Sequence, residues 1–227
     1  MTAAGVAARD SISVYEENVY GCIGDTLYKP VTVIDIPAPT AITGPDEVCQ
    51  YQENVVFSVP DTPGSEYQWF LPFGASVNSG GAGHEIDINF GVVTGNVQVR
   101  VIETTAGGCV TNHPPKDIFV NPLPNVTLNA DKLAICDGDT VNFTAGPTGA
   151  GFNFEFFVNG APAQNGASHT FAAIGLNNND QITVQVTTDK SCSDLSNPIQ
   201  ITVYDNPVVN LNSSDDDNII CDNESVT

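Results

Sequence analysis

Six cysteines, Cys22, Cys49, Cys109, Cys136, Cys192 and Cys221, divide the chain at intervals of 27, 60, 27, 56 and 29 residues. The alternation of short and long gaps defines two kinds of cysteine. One kind opens a unit (Cys49, Cys136, Cys221), and the other lies near a unit's close (Cys22, Cys109, Cys192). The period is 83 to 87 residues. A repeat of that length constrains the architecture strongly, because each period must be one small structural unit. Neighbouring residues keep the same offsets. Eight residues before the closing cysteines stand Val14, Val101 and Val184, and ten before stand Ile12, Val99 and Ile182. Fifteen residues after them come Pro37, Pro124 and Pro207. Twenty residues after the opening cysteines come Trp69 and Phe156, and the terminal "NIICDNESV" starts the pattern again.

The repeat predicts four segments: residues 1–38 as the closing part of one unit, 39–123 and 124–208 as whole units, and 209–227 as the first strand of another. A window on a longer repetitive protein is the expected reason. The alternative is head-to-tail completion between copies through Cys22 and Cys221, a contact that need not close. The "MTAAGVAA" start lacks the basic region and long apolar core of a signal peptide.

Within each unit apolar residues alternate with period two. Val55, Phe57 and Val59, then Ile86, Ile88 and Phe90, then Val97, Val99 and Val101 mark strands of the first unit; Val141, Phe143 and Ala145, then Ile182, Val184 and Val186 mark strands of the second. Stretches such as "VNSGGAG", "GPTGAG" and "LNNND" between them favour turns. No window carries a helical apolar stripe. About seven short strands per unit point to an all-β fold, two antiparallel sheets packed face to face in each repeat. Prolines after each last strand, in "DIPAPT", "NPLPNV" and "DNPVV", fix φ and restrict bending, so tandem units are expected to form an extended, semi-rigid rod.

A unit of this size has a modest core. Structural disulfides Cys49–Cys109 and Cys136–Cys192 are expected, each closing a loop of about 60 residues worth roughly 4 kcal/mol in the chain-entropy model. The partners of Cys22 and Cys221 then lie outside this chain. Metal or redox use is disfavoured by the lack of a C-x-x-C pair. Disulfides imply an oxidising compartment, hence secretion to the cell surface or medium. Charge agrees: 27 acidic residues against 6 basic ones give −21. Such a surface repels nucleic acid and anionic membranes, and no apolar run reaches the length of a span.

The residues Cys49, Tyr67 and Trp69, Pro72 and Gly74, Ile86 to Gly91, and Gly108-Cys109 resemble the PKD-like and Ig-like repeats of Bacteroidota surface proteins. The resemblance covers about 40 to 121. The second unit departs from it, with Phe154 and Phe156 in place of Tyr and Trp, and looks like a generic bacterial Ig-like repeat. The resemblance implies a structural segment of a long adhesin, gliding filament or extracellular fibre exported by type IX secretion. Its partners would be neighbouring repeats, identical subunits or surface glycans. The alternative it offers is a spacer or carbohydrate-binding module of a secreted polysaccharide-degrading enzyme.

No catalytic constellation is legible. His84, His113 and His169 are far apart in sequence, and the acidic residues are expected mostly at turns and on solvent faces of strands. Trp69 and Phe156 are expected as core aromatics, Trp69 packed on the disulfide; a sugar-stacking role for Trp69 is the alternative. Asp215, Asp216 and Asp217 form an acidic linker run that could hold calcium; otherwise no cofactor is implied. Ser11, Thr26 and Thr140 each follow Asp and precede an apolar residue, which resembles the O-glycosylation motif of exported Bacteroidota proteins.

Overall fold

The computed structural model describes residues 10–33, 36–210, 219 and 222. It divides into two units, Met1–Pro122 and Leu123–Thr227. Every regular element among the described residues is a strand.

The first unit begins with a hairpin of β1 (Asp10–Val14) and β2 (Leu27–Val31), paired antiparallel. Its apolar side chains are exposed: Ile12 is 65% and Val14 63% accessible. The residues at the same repeat positions further on, Val99 and Val101, are 0% and 1% accessible. Sequence pattern alone makes the strand, but only an opposing sheet buries it.

That opposing sheet is present in the next repeat. Its strands are β3 (Glu47–Cys49), β4 (Val55–Ser58), β5 (Glu66–Phe70), β6 (Ser76–Gly80), β7 (Glu85–Asn89), β8 (Gly95–Thr104), β9 (Val110–Asn112) and β10 (Lys116–Asn121). One sheet has the order β3-β10-β8-β5 with β9 also on β8, and the other β4-β7-β6. Phe57, Ile86, Ile88, Val99, Val101, Ile118 and Val120 fill the space between them. These are the alternate residues of four strands, as period two requires of a strand with one buried face. The two motif glycines have a common cause. A Cβ on Gly91 would lie 2.1 Å from the Gly74 carbonyl oxygen, and Gly74 has φ +77°, so the chain closes there only where no side chain intervenes.

The second unit contains β11 (Thr127–Ala130), β12 (Ala134–Cys136), β13 (Thr140–Gly146), β14 (Phe152–Val158), β15 (Ala161–Gly166), β16 (Thr170–Ile174), β17 (Gln181–Thr188), β18 (Ser193–Leu195), β19 (Ile199–Gln200) and β20 (Thr202–Tyr204). The sheets are β15-β14-β17-β18 with β19 on β17, β11-β13-β16, and the pair β12-β20. Val141, Phe143, Phe154, Phe156, Ile182, Val184, Val186 and Ile201 are all 0–1% accessible and form its core. Both repeats are Ig-like β-sandwiches.

Each sandwich has an upstream pole, where the chain arrives, and a downstream pole, where it leaves. In the first, the arriving Pro37 carbonyl accepts a hydrogen bond from Thr111 Oγ1 at 2.9 Å, beside the β8–β9 turn. The departing Asn121 pairs with Cys49, because β3 and β10 run parallel. In the second, the arriving Thr127 pairs with Gly146, and the departing Tyr204 with Cys136, β12 and β20 again being parallel.

Candidate functional site

Among the described residues, one buried acid–base pair is found, at the upstream pole of the first sandwich. Glu103 continues the alternation Val97, Val99, Val101, so period two turns it inward with the core residues. It is 1% accessible. His113 follows β9, and its backbone N–H donates to the Val101 carbonyl at 3.3 Å. That places His113 Nε2 3.2 Å from Glu103 Oε2, with both side chains at 1–2% accessibility. Ser65 Oγ donates to Glu103 Oε1 at 2.7 Å. At the other ring nitrogen, the Thr40 N–H donates to His113 Nδ1 at 3.2 Å. Burial pushes the Glu103 carboxyl up, but hydrogen bonds from Ser65, Thr62 and His113 and the charge of His113 outweigh it, and the net shift is downward.

This arrangement holds the arriving chain at Thr40. In an acyl-transfer triad the imidazole stands between the nucleophile and the acid. Here Ser65 bonds the carboxylate, and both imidazole nitrogens are taken, one by Glu103 and one by the Thr40 backbone. A groove of about 650 Å³ runs alongside, lined by Ile36, Pro37, Pro63, Ala106 and the two buried residues. Its polar groups already have partners. Glu103 is an exception among acidic residues expected mostly at turns and on solvent faces. The signal was available in its position two residues after Val101.

The expected disulfides are corrected as well. Cys49 and Cys192 are each disulfide-bonded, but Cys22, Cys109 and Cys136 are free thiols. Neither Cys49–Cys109 nor Cys136–Cys192 therefore forms. Strand register supplies the reason. Cys49 pairs beside Asn121, which follows Val120, the partner of Gly95 at the start of β8. Cys109 lies past the other end of β8, where the Thr105 N–H donates to its carbonyl at 2.9 Å. The ten residues of β8 separate them by about 30 Å, against at most ~7 Å between bonded Cα atoms. In the second sandwich Cys192 accepts from the Thr188 N–H at the far end of β17, while Cys136 sits with Tyr204 at the other pole.

The aromatic positions differ in depth. Phe156 is wholly buried, 5.3 Å from the Phe171 ring. Trp69 is half-buried against the core, with Nε1 donating to the Gly83 carbonyl at 2.9 Å. It pairs with Val101 in mid-strand, so no disulfide of its own sandwich lies under it. Among the described residues no group of three or more His, Cys, Asp or Glu side chains could hold a metal. The Asp215–Asp217 run and Cys221 lie outside the described residues. Ser11, Thr26 and Thr140 are exposed.

Residues 36–113 match the model of the PKD-like domain family. No curated protein matches the chain significantly. Among solved structures, fibronectin(III)-like modules of Clostridium thermocellum CbhA are 14% identical, covering 72% of this chain and 93% of theirs with a TM-score of 0.39. Murine CEACAM1b is 14% identical over 72% of this chain and 100% of its own, with a TM-score of 0.34. The Yersinia pseudotuberculosis adhesin InvE is 13% identical over 76% of this chain and 65% of its own, with a TM-score of 0.26. Among the described residues no helix is long and apolar enough to cross a membrane.

Proposed function

We propose that the chain is a non-catalytic structural segment of a long secreted surface protein, an adhesin or extracellular fibre of the Bacteroidota type exported by type IX secretion. The observation that carries this reading is the placement of arrival and departure at opposite poles of each sandwich. A sandwich that the chain enters at one pole and leaves at the other suits the link of a fibre. The side chains best placed for chemistry, Glu103 and His113, are used up in holding the Thr40 backbone. The acidic surface keeps neighbouring fibres apart and hydrated. Multivalent display along the fibre supplies avidity for other cells or surface glycans.

The test is surface labelling. An antibody raised against the chain should stain intact cells, and external protease should remove the signal. Loss of the type IX exporter should abolish it. An intracellular, protease-protected pool in the wild type would overturn the reading. Binding to a polysaccharide that Trp69→Ala removes without unfolding would instead favour a carbohydrate-binding module attached to a secreted hydrolase.

A further inference from the structure

We propose that the outer face of the first sandwich binds a glycan bearing an isolated carboxylate sugar, with Arg100 holding the carboxylate. Side chains alternate across β8, so with Val99 and Val101 buried the outward positions are Arg100 and Ile102. The antiparallel ladders set Phe70 of β5 opposite Arg100, and place Gln68 of β5 and Asn112 of β9 on either side of Ile102. A cleft of about 300 Å³ opens among Phe70, Arg100, Ile102, Asn112 and Pro115, a volume at the small end of ligand clefts.

Charge selects the occupant. Acids outnumber basic residues 27 to 6 in this chain, so a cation left without a carboxylate stands out. Lys116 is paired with Asp46. Asp117, the outward acid of β10, accepts from Gln98 Nε2 at 2.8 Å. Among the described residues Arg100 has no ion pair. Its contact is the Phe70 ring, whose centroid lies 5.7 Å from the guanidinium carbon. That contact steadies the cation without consuming an N–H donor. The planar donor fork remains for an oxyanion, and a carboxylate fits it with two parallel bonds.

The rest of the cleft suits a sugar. Ile102 and Pro115 offer a surface to the C–H face of a pyranose ring, and the amides of Asn112 and the neighbouring Gln68 offer donors and acceptors to its hydroxyls. Net charge limits the density of acid. At −21 the chain repels a run of carboxylates, so an acidic sugar set in an otherwise neutral glycan is favoured. The second sandwich shows that the fold does not need the cation. Phe157 and Thr183 hold the same paired positions there, and β15 lies along the aromatic strand, pairing Pro162 with Phe157. In the first sandwich β6 pairs in the other sheet instead. The site therefore belongs to one repeat and is added to a shared frame.

This names the glycan class that the surface-protein reading leaves open, and it rests on that reading only for where the glycan is met. The test is calorimetric titration of the purified chain with a β-linked glucose trisaccharide ending in glucuronic acid, and with the same trisaccharide ending in glucose. The acidic sugar should bind roughly tenfold tighter, as a charge-assisted bidentate contact implies. Arg100→Gln should erase the difference, and Arg100→Lys should keep part of it. Both variants should retain the wild-type circular dichroism and Trp69 urea midpoint, because Arg100 is exposed. A homopolymer of glucuronic acid should bind no tighter than the trisaccharide. No binding, equal binding of the two trisaccharides, or a preference that survives Arg100→Gln would overturn the proposal. So would tighter binding of the homopolymer, or of a Glu-rich peptide, which would assign the face to a protein. None of these outcomes depends on where the chain is displayed, which surface labelling decides separately.

Discussion

The two sandwiches share a frame but send the strand after their central aromatic strand to different sheets. In the second, β14 ends at Val158, and Asn159 and Gly160 have φ of +52° and +78°. That is a two-residue hairpin turn of the kind Asn-Gly favours, and it folds β15 straight back onto β14, pairing Val158 with Ala161. In the first, "LPFGA" occupies this place. Pro72 has no N–H to give a hairpin ladder, and the close approach of Gly74 to Gly91 carries the chain across, so β6 pairs with β7 in the opposite sheet. The interiors differ at matching positions too. Where the first sandwich buries Glu103 and His113, the second has Val186 and Ser196, and Ser196 Oγ accepts from the Val184 N–H at 3.0 Å. The lesson is that a common frame tolerates different interiors so long as every inward polar group finds a partner.

The sharpest break of this comparison is Phe156→Ala. It should destabilise the second sandwich by about 3–5 kcal/mol, since the ring is fully buried. Trp69 is the chain's single tryptophan, so its fluorescence in urea should report an unchanged first sandwich while circular dichroism shows the second unfolding early. Trp69→Ala, at a half-buried site, should cost the first sandwich less, about 2 kcal/mol.

Gly91→Ala should come next, weakening the first sandwich by roughly 1–3 kcal/mol because the new Cβ meets the Gly74 carbonyl. The expected readout is a lower midpoint of the Trp69 transition. An unchanged midpoint would mean that the Gly74 turn is free to move away. Gly160→Ala in the other sandwich should cost only about 1 kcal/mol, the price of one strained turn residue.

The smallest expected effect is in pH dependence. The Glu103 carboxyl titrates below its ordinary value of 4.5 in the folded chain. Its contribution is thus fully present above that value and fades as pH falls through the lower folded pKa. Acid should weaken the first sandwich with an additional component that Glu103→Gln removes. The second sandwich, with Val186 at that position, should lack this component. Equal loss in wild type and Glu103→Gln would show that other carboxylates govern the acid limb.

Much of this molecule is legible one residue at a time. Alternation in "EIDIN", "VQVRV" and "ITVQV" marks strands and their buried faces, because a strand's side chains change sides at every step whatever it packs against. The same rule would have turned Glu103 inward. The cysteine period reveals the repeat, and Asn159-Gly160 announces its hairpin. That the expected cysteine pairs do not meet was decided by tertiary structure alone. Loop length shows how much chain a bond would close, but register decides where its ends come to lie. The parallel pairing of β3 with β10 and of β12 with β20 puts opening and closing cysteines at opposite poles. The exposed Ile12 and Val14 make the same point: an apolar face is written in the chain, and only an opposing sheet can bury it.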